Sequence, residues 1–272
     1  MYPELFHIGG FTMNSYGLMM ALAFICAGFV AYWQFKKRDV KPDFIYGLLI
    51  ACIIGGLAGA KIHYLILHPD AWPENLLSGE GLVWFGGLFG AIVAVVIVTL
   101  VSKQRLAAIM DAGGPAVAVG YAVGRIGCFL RGCDHGTPTD LPWGVTFEQG
   151  IPPTTVPVHP TQLYEMAASL VIFALLVWVI GPRFKREGSL IFAFAILHGI
   201  QRLLVEFIRT NEPAAFGLTQ MQWIGLAMIV VGAAGIWWFE THGRVRPVVP
   251  EKGSSERDPG PAAAPGTGVG KG

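Results

Sequence analysis

Seven apolar stretches, each roughly 20 residues long, set the strongest limit on how this chain folds, because that length lets a helix cross a ~30 Å hydrocarbon core. Only 14% of the residues are charged and the mean hydropathy is +0.55, whereas soluble domains carry about 25% charged residues. Lipid offers no hydrogen-bond partner to the backbone, and the alternating pattern of barrel strands is absent, so helices are predicted. The fold class is therefore all-α, a polytopic membrane protein with seven transmembrane helices. The predicted spans are 12–35, 44–67, 82–101, 106–130, 161–181, 189–208 and 220–239.

The distribution of lysine and arginine predicts how these spans are oriented. In a seven-span chain, fourteen of the 19 basic residues fall on the side of the membrane that holds the C-terminus. An excess of Lys and Arg marks the cytoplasmic side. We therefore predict that the N-terminus is outside and the C-terminus is cytoplasmic. The fourteen residues are Lys36, Lys37, Arg38, Lys41, Lys103, Arg105, Arg183, Lys185, Arg186, Arg244, Arg246, Lys252, Arg257 and Lys271.

The composition changes near residue 243, and this change divides the chain into two parts. Beyond this point Pro, Gly, Ser, Ala and charged residues dominate, as in the PGPA run at 259–262. Such a segment buries too little apolar area to order itself. The prediction is a membrane domain over 1–242 and a disordered cytoplasmic tail over 243–272.

Polar or glycine-rich segments gather at the predicted outer ends of five spans. A charge at the bilayer centre costs ~2.5–3.5 kcal/mol even on the lenient insertion scale, so ionisable residues inside a membrane suggest a functional site. We expect these residues to lie in one layer near the outer leaflet. They are Tyr16 in the first span, Gly86 and Gly87 in the third, Arg125 and Arg131 in the fourth, His159, Gln162, Tyr164 and Glu165 at the fifth, and Arg202 and Arg209 in the sixth.

The sixth span places its polar residues on one helix face. His198, Arg202 and Glu206 are four residues apart, and Arg209 follows three residues later. One interpretation is a buried structural ion pair with arginine ends that reach the interface. The other is an anion site, since the planar guanidinium suits phosphate. Arg125 supports the second interpretation because its flanking glycines permit close backbone approach. A phosphate at the outer leaflet implies a phospholipid head group.

Several segments resemble those of the prolipoprotein diacylglyceryl transferase family. The run GRIGCFLRG at 124–132, continuing to Gly136, is similar to the family signature. Supporting segments are YGLM at 16–19, GGL at 86–88, HPTQLYE at 159–165 and RLLVEFIR at 202–209. The resemblance implies a multi-pass enzyme of the bacterial inner membrane. Such an enzyme moves a diacylglyceryl group from phosphatidylglycerol to the lipobox cysteine of a prolipoprotein and releases glycerol phosphate.

The resemblance also implies roles for individual residues. Arg125 and Arg202 would act on the phosphate, with Tyr16 beside the head group, as the catalytic set. The implied partners are phosphatidylglycerol, the prolipoprotein and membrane lipid, with no nucleic acid, and no metal or cofactor is expected. The implied substrate-binding residues are Gly86, Gly87, Gly127, Gly136, His159, Gln162, Tyr164, Glu165, Glu206 and Arg209.

Three polar positions of the family pattern are changed in this sequence. The family has a histidine immediately before the paired glycines of the third span, where this chain has Phe85, and its Asn and Glu within the signature are Cys128 and Cys133 here. A base that removes the proton of the acceptor thiol must lie within hydrogen-bond reach of it. Nearby arginines would also lower the pKa of that thiol from about 8.5. The candidate replacement bases are His135, His159 and His198.

Cys128, Cys133 and His135 invite a comparison with metal sites. Their C-x₄-C-x-H spacing does not match the usual zinc patterns. A disulfide is compatible with an oxidising outer compartment. A continuous helix would point the two cysteines about 140° apart, so a bridge requires the chain to turn near Gly132. Free thiols or a disulfide are favoured over a metal.

Other functions remain open on the sequence alone. One is a phospholipid-binding membrane protein that keeps the fold without catalysis, and another is a related transferase with a different acceptor. A redox membrane protein that uses Cys128 and Cys133 is a further alternative. A transporter is disfavoured, because no inverted-repeat halves are evident and the charges lie at one face rather than at the midplane.

Overall fold

Seven α-helices account for most of the residues that the computed structural model describes, which are 4–8, 11–69 and 83–247. The fifth helix continues beyond Ala174 through a π-helical segment, Leu175–Ile180, and a 3₁₀ turn, Gly181–Arg183. The helices are α1 Ser15–Lys37, α2 Phe44–Leu67, α3 Trp84–Val101, α4 Leu106–Arg131, α5 Thr161–Ala174, α6 Ser189–Glu206 and α7 Gln220–His242.

Helix length and surface chemistry show a multi-pass membrane protein. Six helical segments of the described chain are long and apolar enough to cross a bilayer, and the apolar part of α3, Gly86–Val101, is shorter. The predicted third span begins at residue 82, which lies outside the described residues. Large apolar side chains such as Phe29 and Phe89 are 73% and 71% exposed. An apolar surface of this extent is typical of contact with lipid rather than with water.

Two short hairpins precede α1 and α7, and the sequence analysis did not predict them. Strand β1, Glu4–Ile8, pairs with β2, Phe11–Asn14, and β3, Pro213–Ala215, pairs with β4, Leu218–Thr219. Residues 12–14, predicted as the start of the first span, therefore lie in a strand, and the helix begins at Ser15. Thr219 and Gln222 form a capping box at the start of α7, so the second hairpin leads directly into a capped helix.

Helix α4 lies at the centre of the bundle and packs against α1, α5 and α6. It is rich in alanine and glycine, and it runs unbroken past Pro115. The buried carboxylate of Asp111 accepts hydrogen bonds from the backbone N–H groups of Gly188 and Leu190, at 3.0 and 2.8 Å. These groups lie at the start of α6, where a helix leaves its N–H donors unpaired. Asp111, in the second turn of α4, thus caps the neighbouring helix.

The two ends of the bundle differ in their connections. The long-loop end, where α4 and α6 end and α5 and α7 begin, carries the connection 132–160. The short-loop end carries the connections 38–43, 102–105 and 184–188. Residues 243–247 fold onto the last of these, with Glu187 N–H donating to Arg244 O at 2.9 Å and Arg246 N–H donating to Lys185 O at 2.9 Å. Residues 243–247 of the predicted tail therefore pair with this connection, and residues 248–272 lie outside the described residues.

Helices α2 and α3 cross at glycines. A Cβ atom added to Gly90 would overlap the carbonyl oxygen of Gly55 and lie 2.8 Å from the Cα of Gly59. Such backbone contact is open only to small residues and is a common way for helices to associate in lipid. By contrast, a Cβ atom at Gly47, also in α2, would meet nothing within 4 Å.

We expect Gly90→Ala to destabilise the α2–α3 pair, because overpacking costs about 1–3 kcal/mol. The matched control, Gly47→Ala, adds the same methyl group to open space. Thermal unfolding of the two variants in detergent should give a lower Tm for Gly90→Ala and an unchanged or higher Tm for Gly47→Ala. Equal Tm values would contradict the close crossing.

Candidate functional site

Two arginines from different helices meet on one buried carboxylate at the long-loop end. Glu165, in the first turns of α5, is fully buried. Its Oε2 atom lies 2.6 Å from Nε of Arg125 on α4, and its Oε1 atom is paired with Nη1 of Arg202 on α6. Three helices therefore converge on Glu165. Arg125 and Arg202, far apart in sequence, are brought together.

Tyr121 completes the environment of Arg125. Its hydroxyl accepts hydrogen bonds from Nε and Nη2 of Arg125, at 2.9 and 2.7 Å, and lies 3.1 Å from Glu165 Oε1, to which it donates. Because the Nε hydrogen is directed at Tyr121, the contact of Arg125 with Glu165 Oε2 is an ion pair rather than an aligned hydrogen bond. Tyr121 was not among the site residues predicted from the sequence. Its position four residues before Arg125 was the available clue, since such residues share a helix face.

Asp134 bridges Arg125 to a third arginine. Its Oδ2 atom accepts from Arg125 Nη1 at 3.0 Å, and its Oδ1 atom accepts from Arg209 Nη2 at 2.6 Å. Burial alone would raise the pKa of Asp134, but Arg209 and Arg125 outweigh it and hold that pKa below its ordinary value. The side chain of Asp134 is 38% exposed, whereas that of Glu165 is fully buried. Asp134 was not among the site residues predicted from the sequence.

Glu206 connects Arg202 to the residues at the start of α7. Arg202 Nη2 lies 3.5 Å from Glu206 Oε2, as the four-residue spacing predicts. The other oxygen of Glu206 accepts from Asn211 Nδ2 at 2.6 Å and from Thr219 Oγ1 at 2.8 Å. The arginine network, defined as Arg125, Arg202, Arg209, Glu165, Glu206 and Asp134, thus contains three positive and three negative charges.

Several predicted site residues hold the connection 132–160 against the helices. The Tyr164 hydroxyl accepts from Trp143 Nε1 at 2.7 Å and lies 3.3 Å from His159 Nδ1. Gln162 donates to the carbonyl oxygen of Cys133 at 2.5 Å. A Cβ atom at Gly136 would lie 2.5 Å from the carbonyl oxygen of Ile208. The polar atoms of Tyr164 and Gln162 in these contacts therefore bond to the protein itself and hold the connection in place.

Tyr16 and Gly127 lie where α1 packs against the end of α4. A Cβ atom at Gly127 would be 3.4 Å from Tyr16 Cδ2 and 3.0 Å from Met19 Cβ. The Tyr16 ring lies 5.6 Å from the guanidinium carbon of Arg131. Tyr16 is therefore next to the GRIGCFLRG segment, on the side that faces α1.

Gly86 and Gly87 lie on the α2–α3 contact. Cβ atoms at these positions would meet the carbonyl oxygens of Gly59 and Gly56, respectively. Their described contacts are to α2 and not to the arginine network, so a role in substrate binding stays a prediction. The side chain of Phe85 lies outside the described part of the structure.

The three candidate histidine bases have different surroundings. His135 is buried, with Nε2 3.0 Å from the carbonyl oxygen of Pro152 and Nδ1 3.3 Å from that of Gly136. His159 faces Tyr164, as described above. His198 packs edge-to-face on Tyr121 with ring centroids 4.7 Å apart, and its buried Nδ1 has no hydrogen-bond partner among the described residues. Of the three, His198 contacts the arginine network through Tyr121.

Cys128 and Cys133 are free thiols placed together by a turn at Gly132. Gly132 ends α4 with φ of +73°, and the Cys133 N–H then donates to Cys128 O at 3.1 Å. This is the turn that the sequence analysis required for the two cysteines to approach. A hydrogen bond with Cys128, together with burial, raises the pKa of the Cys133 thiol.

The two sulfurs and one carboxylate oxygen of Asp134 lie within 4.8 Å of one another, a grouping that offers ligands to a metal ion. A structural zinc site uses four ligands. Both oxygens of Asp134 already contact arginines, and His135 is directed at backbone carbonyl oxygens instead of the thiols. The residues present therefore fit an arginine-bound carboxylate beside two thiols better than a zinc site.

The fold and this network define a multi-pass helical membrane protein with arginines and carboxylates paired at one end of its bundle. The family model for prolipoprotein diacylglyceryl transferase matches residues 3–238, and the chain belongs to this family. A phosphatidylglycerol–prolipoprotein diacylglyceryl transferase of Clostridium tetani is 32% identical over 85% of this chain and 95% of its own length. The protein of the same name from Geobacter sulfurreducens is 34% identical over 78% of this chain and 83% of its own length.

We expect Asp134→Asn to remove a pH-dependent part of the stability. A carboxyl group whose folded-state pKa is depressed stabilises the fold above its unfolded pKa, for which the ordinary value of 3.8 applies, and loses that contribution as the pH falls through the folded value. The wild type should therefore exceed Asp134→Asn in free energy of unfolding by the largest amount near neutral pH. This difference should become smaller below about pH 4.

The matched control is Asp140→Asn, which removes an exposed carboxylate from the same connection. The free energy of unfolding of Asp140→Asn should stay close to that of the wild type, and the small difference should not change over this pH range. Unfolding in detergent, followed across pH, measures both differences. A pH-independent difference for Asp134→Asn would contradict the bridge to Arg125 and Arg209.

Proposed function

We propose that this chain is a phosphatidylglycerol–prolipoprotein diacylglyceryl transferase, an enzyme that attaches a diacylglyceryl group to a prolipoprotein cysteine. Membership of the family and the shared name of its relatives support this function. The observation that carries the proposal is the convergence of Arg125 and Arg202 on Glu165. Two guanidinium groups held this way offer a preformed site for an anionic head group.

The phosphodiester is proposed to bind on the exposed side of the arginine network. Asp134 is the only carboxylate of the network with an exposed part, since the side chains of Glu165 and Glu206 are fully buried. It also lies on a connection rather than within a helix. A phosphodiester carries one negative charge, as Asp134 does, so an exchange between them preserves the charge balance. Glu165 would keep Arg125 and Arg202 in place during the exchange.

In the proposed reaction the sulfur of the acceptor cysteine attacks C3 of the diacylglyceryl moiety. The C–S bond forms and the C3–O bond to phosphate breaks, and its electron pair leaves with glycerol phosphate. The leaving group gains negative charge as the bond breaks, which Arg125 and Arg202 would stabilise. The same positive charges favour the thiolate form of the acceptor. Tyr16 would lie beside the head group.

The thiol proton needs an acceptor, and His198 is the proposed candidate. It contacts Tyr121, and one of its ring nitrogens lacks a partner among the described residues. His135 is a poorer candidate because both of its nitrogens face backbone carbonyl oxygens.

The proposed location is the bacterial inner membrane, with seven spans and the N-terminus outside. The excess of Lys and Arg at the short-loop end supports a cytoplasmic position for that end. The long-loop end and its arginine network would then face the outer leaflet, where phosphatidylglycerol and the lipobox cysteine of the prolipoprotein would meet.

We expect Arg125→Ala and Arg202→Ala each to lower the rate of transfer by about 10²–10³-fold, the usual effect of removing one donor to a developing negative charge. The assay follows labelled diacylglyceryl transfer from phosphatidylglycerol to a lipobox peptide by the purified protein. Arg183→Ala is the matched control, since Arg183 is an exposed arginine at the short-loop end that bonds only to the Val179 carbonyl oxygen in the described structure. It should retain activity.

A second function is favoured by the replacement of three polar family positions by Phe85, Cys128 and Cys133. It is phospholipid binding without transfer. Phosphatidylglycerol binding by the wild type, with no transfer to any lipobox peptide, would support this second function and contradict the first.

A further inference from the structure

A second group of arginines surrounds a cavity at the short-loop end. The cavity has a volume of about 210 Å³ and lies between the end of α1, the π-helical segment of α5, the start of α6 and the segment after α7. Three of its lining side chains, Lys37, Arg38 and Arg246, are positively charged, and none is negatively charged. These three cations come from two distant parts of the chain.

Arg38 is buried without an ionic partner. Its side chain is 4% exposed, and its Nη1 atom contacts only the two oxygens of Gln34, which are neutral. Among the described residues, no carboxylate lies within ion-pair distance of Arg38, and its buried Nε has no hydrogen-bond partner. Burial lowers the pKa of Arg38 to about 10, a shift that Asp111 opposes and Arg246 reinforces. A buried charge in this state is costly unless an anion joins it.

Arg246, which lines the same cavity, also carries a buried donor without a partner. Its Nη1 atom donates to Gly181 O at 3.0 Å, and its Nη2 atom lies 3.4 Å from Asp111 Oδ2. Its buried Nε has no partner in the described structure. Two arginines from separate segments thus line one cavity, and each has a buried Nε–H group without an acceptor among the described residues.

The carboxylates nearby are already occupied. Asp111 accepts from the first turn of α6 and pairs with Arg246, as described above. Glu187 pairs with Arg105 at 2.5 Å. Neither carboxylate is available to Arg38, so the cavity keeps a surplus of positive charge.

The backbone around the cavity is unusual as well. Leu176, which lines it, belongs to the π-helical segment, and interruptions of this kind are frequent at functional sites. Gly181 follows that segment, and a Cβ atom there would lie 2.5 Å from Leu176 O. The tight turn that shapes this wall therefore depends on glycine.

We propose that this cavity binds a phosphate group, held by Arg38 and Arg246 with Lys37 at its mouth. Guanidinium groups bind phosphate through several parallel N–H donors, and the cavity is lined by two guanidinium groups and an ammonium group with a surplus of positive charge. The source is either a free phosphate or phosphate ester from the aqueous side, or the head group of an anionic lipid. Asp111 and Arg125 are fourteen residues apart on α4, or about 21 Å, so this site is separate from the arginine network and independent of the proposed transfer.

Thermal unfolding of the purified, delipidated full chain tests the first source, with inorganic phosphate or glycerol 3-phosphate added at constant ionic strength. Phosphate should raise the Tm of the wild type. In Arg38→Gln the apparent Kd for phosphate should be at least about tenfold weaker, as expected for loss of a charged hydrogen-bond donor. Lys36→Gln, the matched control, removes an exposed charge two residues away that does not line the cavity, and it should behave as the wild type does.

The phosphate-free protein separates binding from a structural role. Arg38 has no carboxylate partner to leave unpaired, so Arg38→Gln should keep or raise the Tm without phosphate. A lower Tm without phosphate, together with equal phosphate shifts in the wild type and Arg38→Gln, would overturn the proposal.

Lipid nanodiscs test the second source. Native mass spectrometry counts the phosphatidylglycerol molecules retained by Arg125→Ala, whose active-site arginine is absent, and by the Arg125→Ala/Arg38→Gln double variant. Loss of one retained lipid in the double variant would identify the head group as the source. A phosphate shift in nanodiscs of phosphatidylcholine alone would identify the free ion. The site is refuted if phosphate does not raise the Tm and the double variant also retains as many lipids as Arg125→Ala. That result would leave the proposed transfer reaction standing, because transfer is measured in a separate assay.

Discussion

The buried carboxylate of Glu165 holds the long-loop end of the bundle together. It lies between Arg125 on α4 and Arg202 on α6, two cations that would otherwise repel each other in a region with little water. Removing one partner of a buried ion pair costs about 3–5 kcal/mol, because the remaining charge is left uncompensated. At the short-loop end α4 and α6 are joined instead by Asp111, which accepts from backbone N–H groups at the start of α6. At the long-loop end the ion pairs of Glu165 fix how the three helices align.

The same arrangement explains how a membrane protein can keep three arginines ready for an anion. The arginine network is electrically balanced, so it is tolerated without substrate. Its one partly exposed carboxylate, Asp134, already lies between Arg125 and Arg209, where a phosphate would contact two guanidinium groups at once. Because the donors are held in place before the substrate arrives, little reorganisation is needed when charge develops. The short-loop end is not balanced in this way, because Arg38 has no carboxylate partner among the described residues.

The parts of this structure that follow helix periodicity could be predicted from the sequence. The spacing of Arg202 and Glu206 placed them on one face. Those Lys and Arg residues that the sequence grouped on one side and that the structure describes lie at the short-loop end. The start of the first span differed because residues 11–14 pair with another strand, a contact that hydropathy does not encode. Asp111 interrupts an apolar stretch, yet its role depends on where α6 begins in space.

Only part of the arginine network could be predicted from the sequence. Tyr121 precedes Arg125 by four residues and shares its helix face, so the spacing that grouped Arg202 with Glu206 could also have predicted Tyr121. Asp134 could not be predicted in this way, because its contacts require a left-handed turn at Gly132 and the return of Arg209 from 75 residues further along the chain. The roles of Gly86 and Gly87 were suggested by resemblance, whereas their described contacts are to α2 and follow from the crossing of two helices.

An experimental structure of the protein with phosphatidylglycerol bound would show whether the head group replaces Asp134 at the arginine network. We expect the lipid phosphate within hydrogen-bond distance of Arg125, with Asp134 displaced and Glu165 still between Arg125 and Arg202. A head group bound elsewhere, with Asp134 remaining on Arg125 and Arg209, would contradict this expectation.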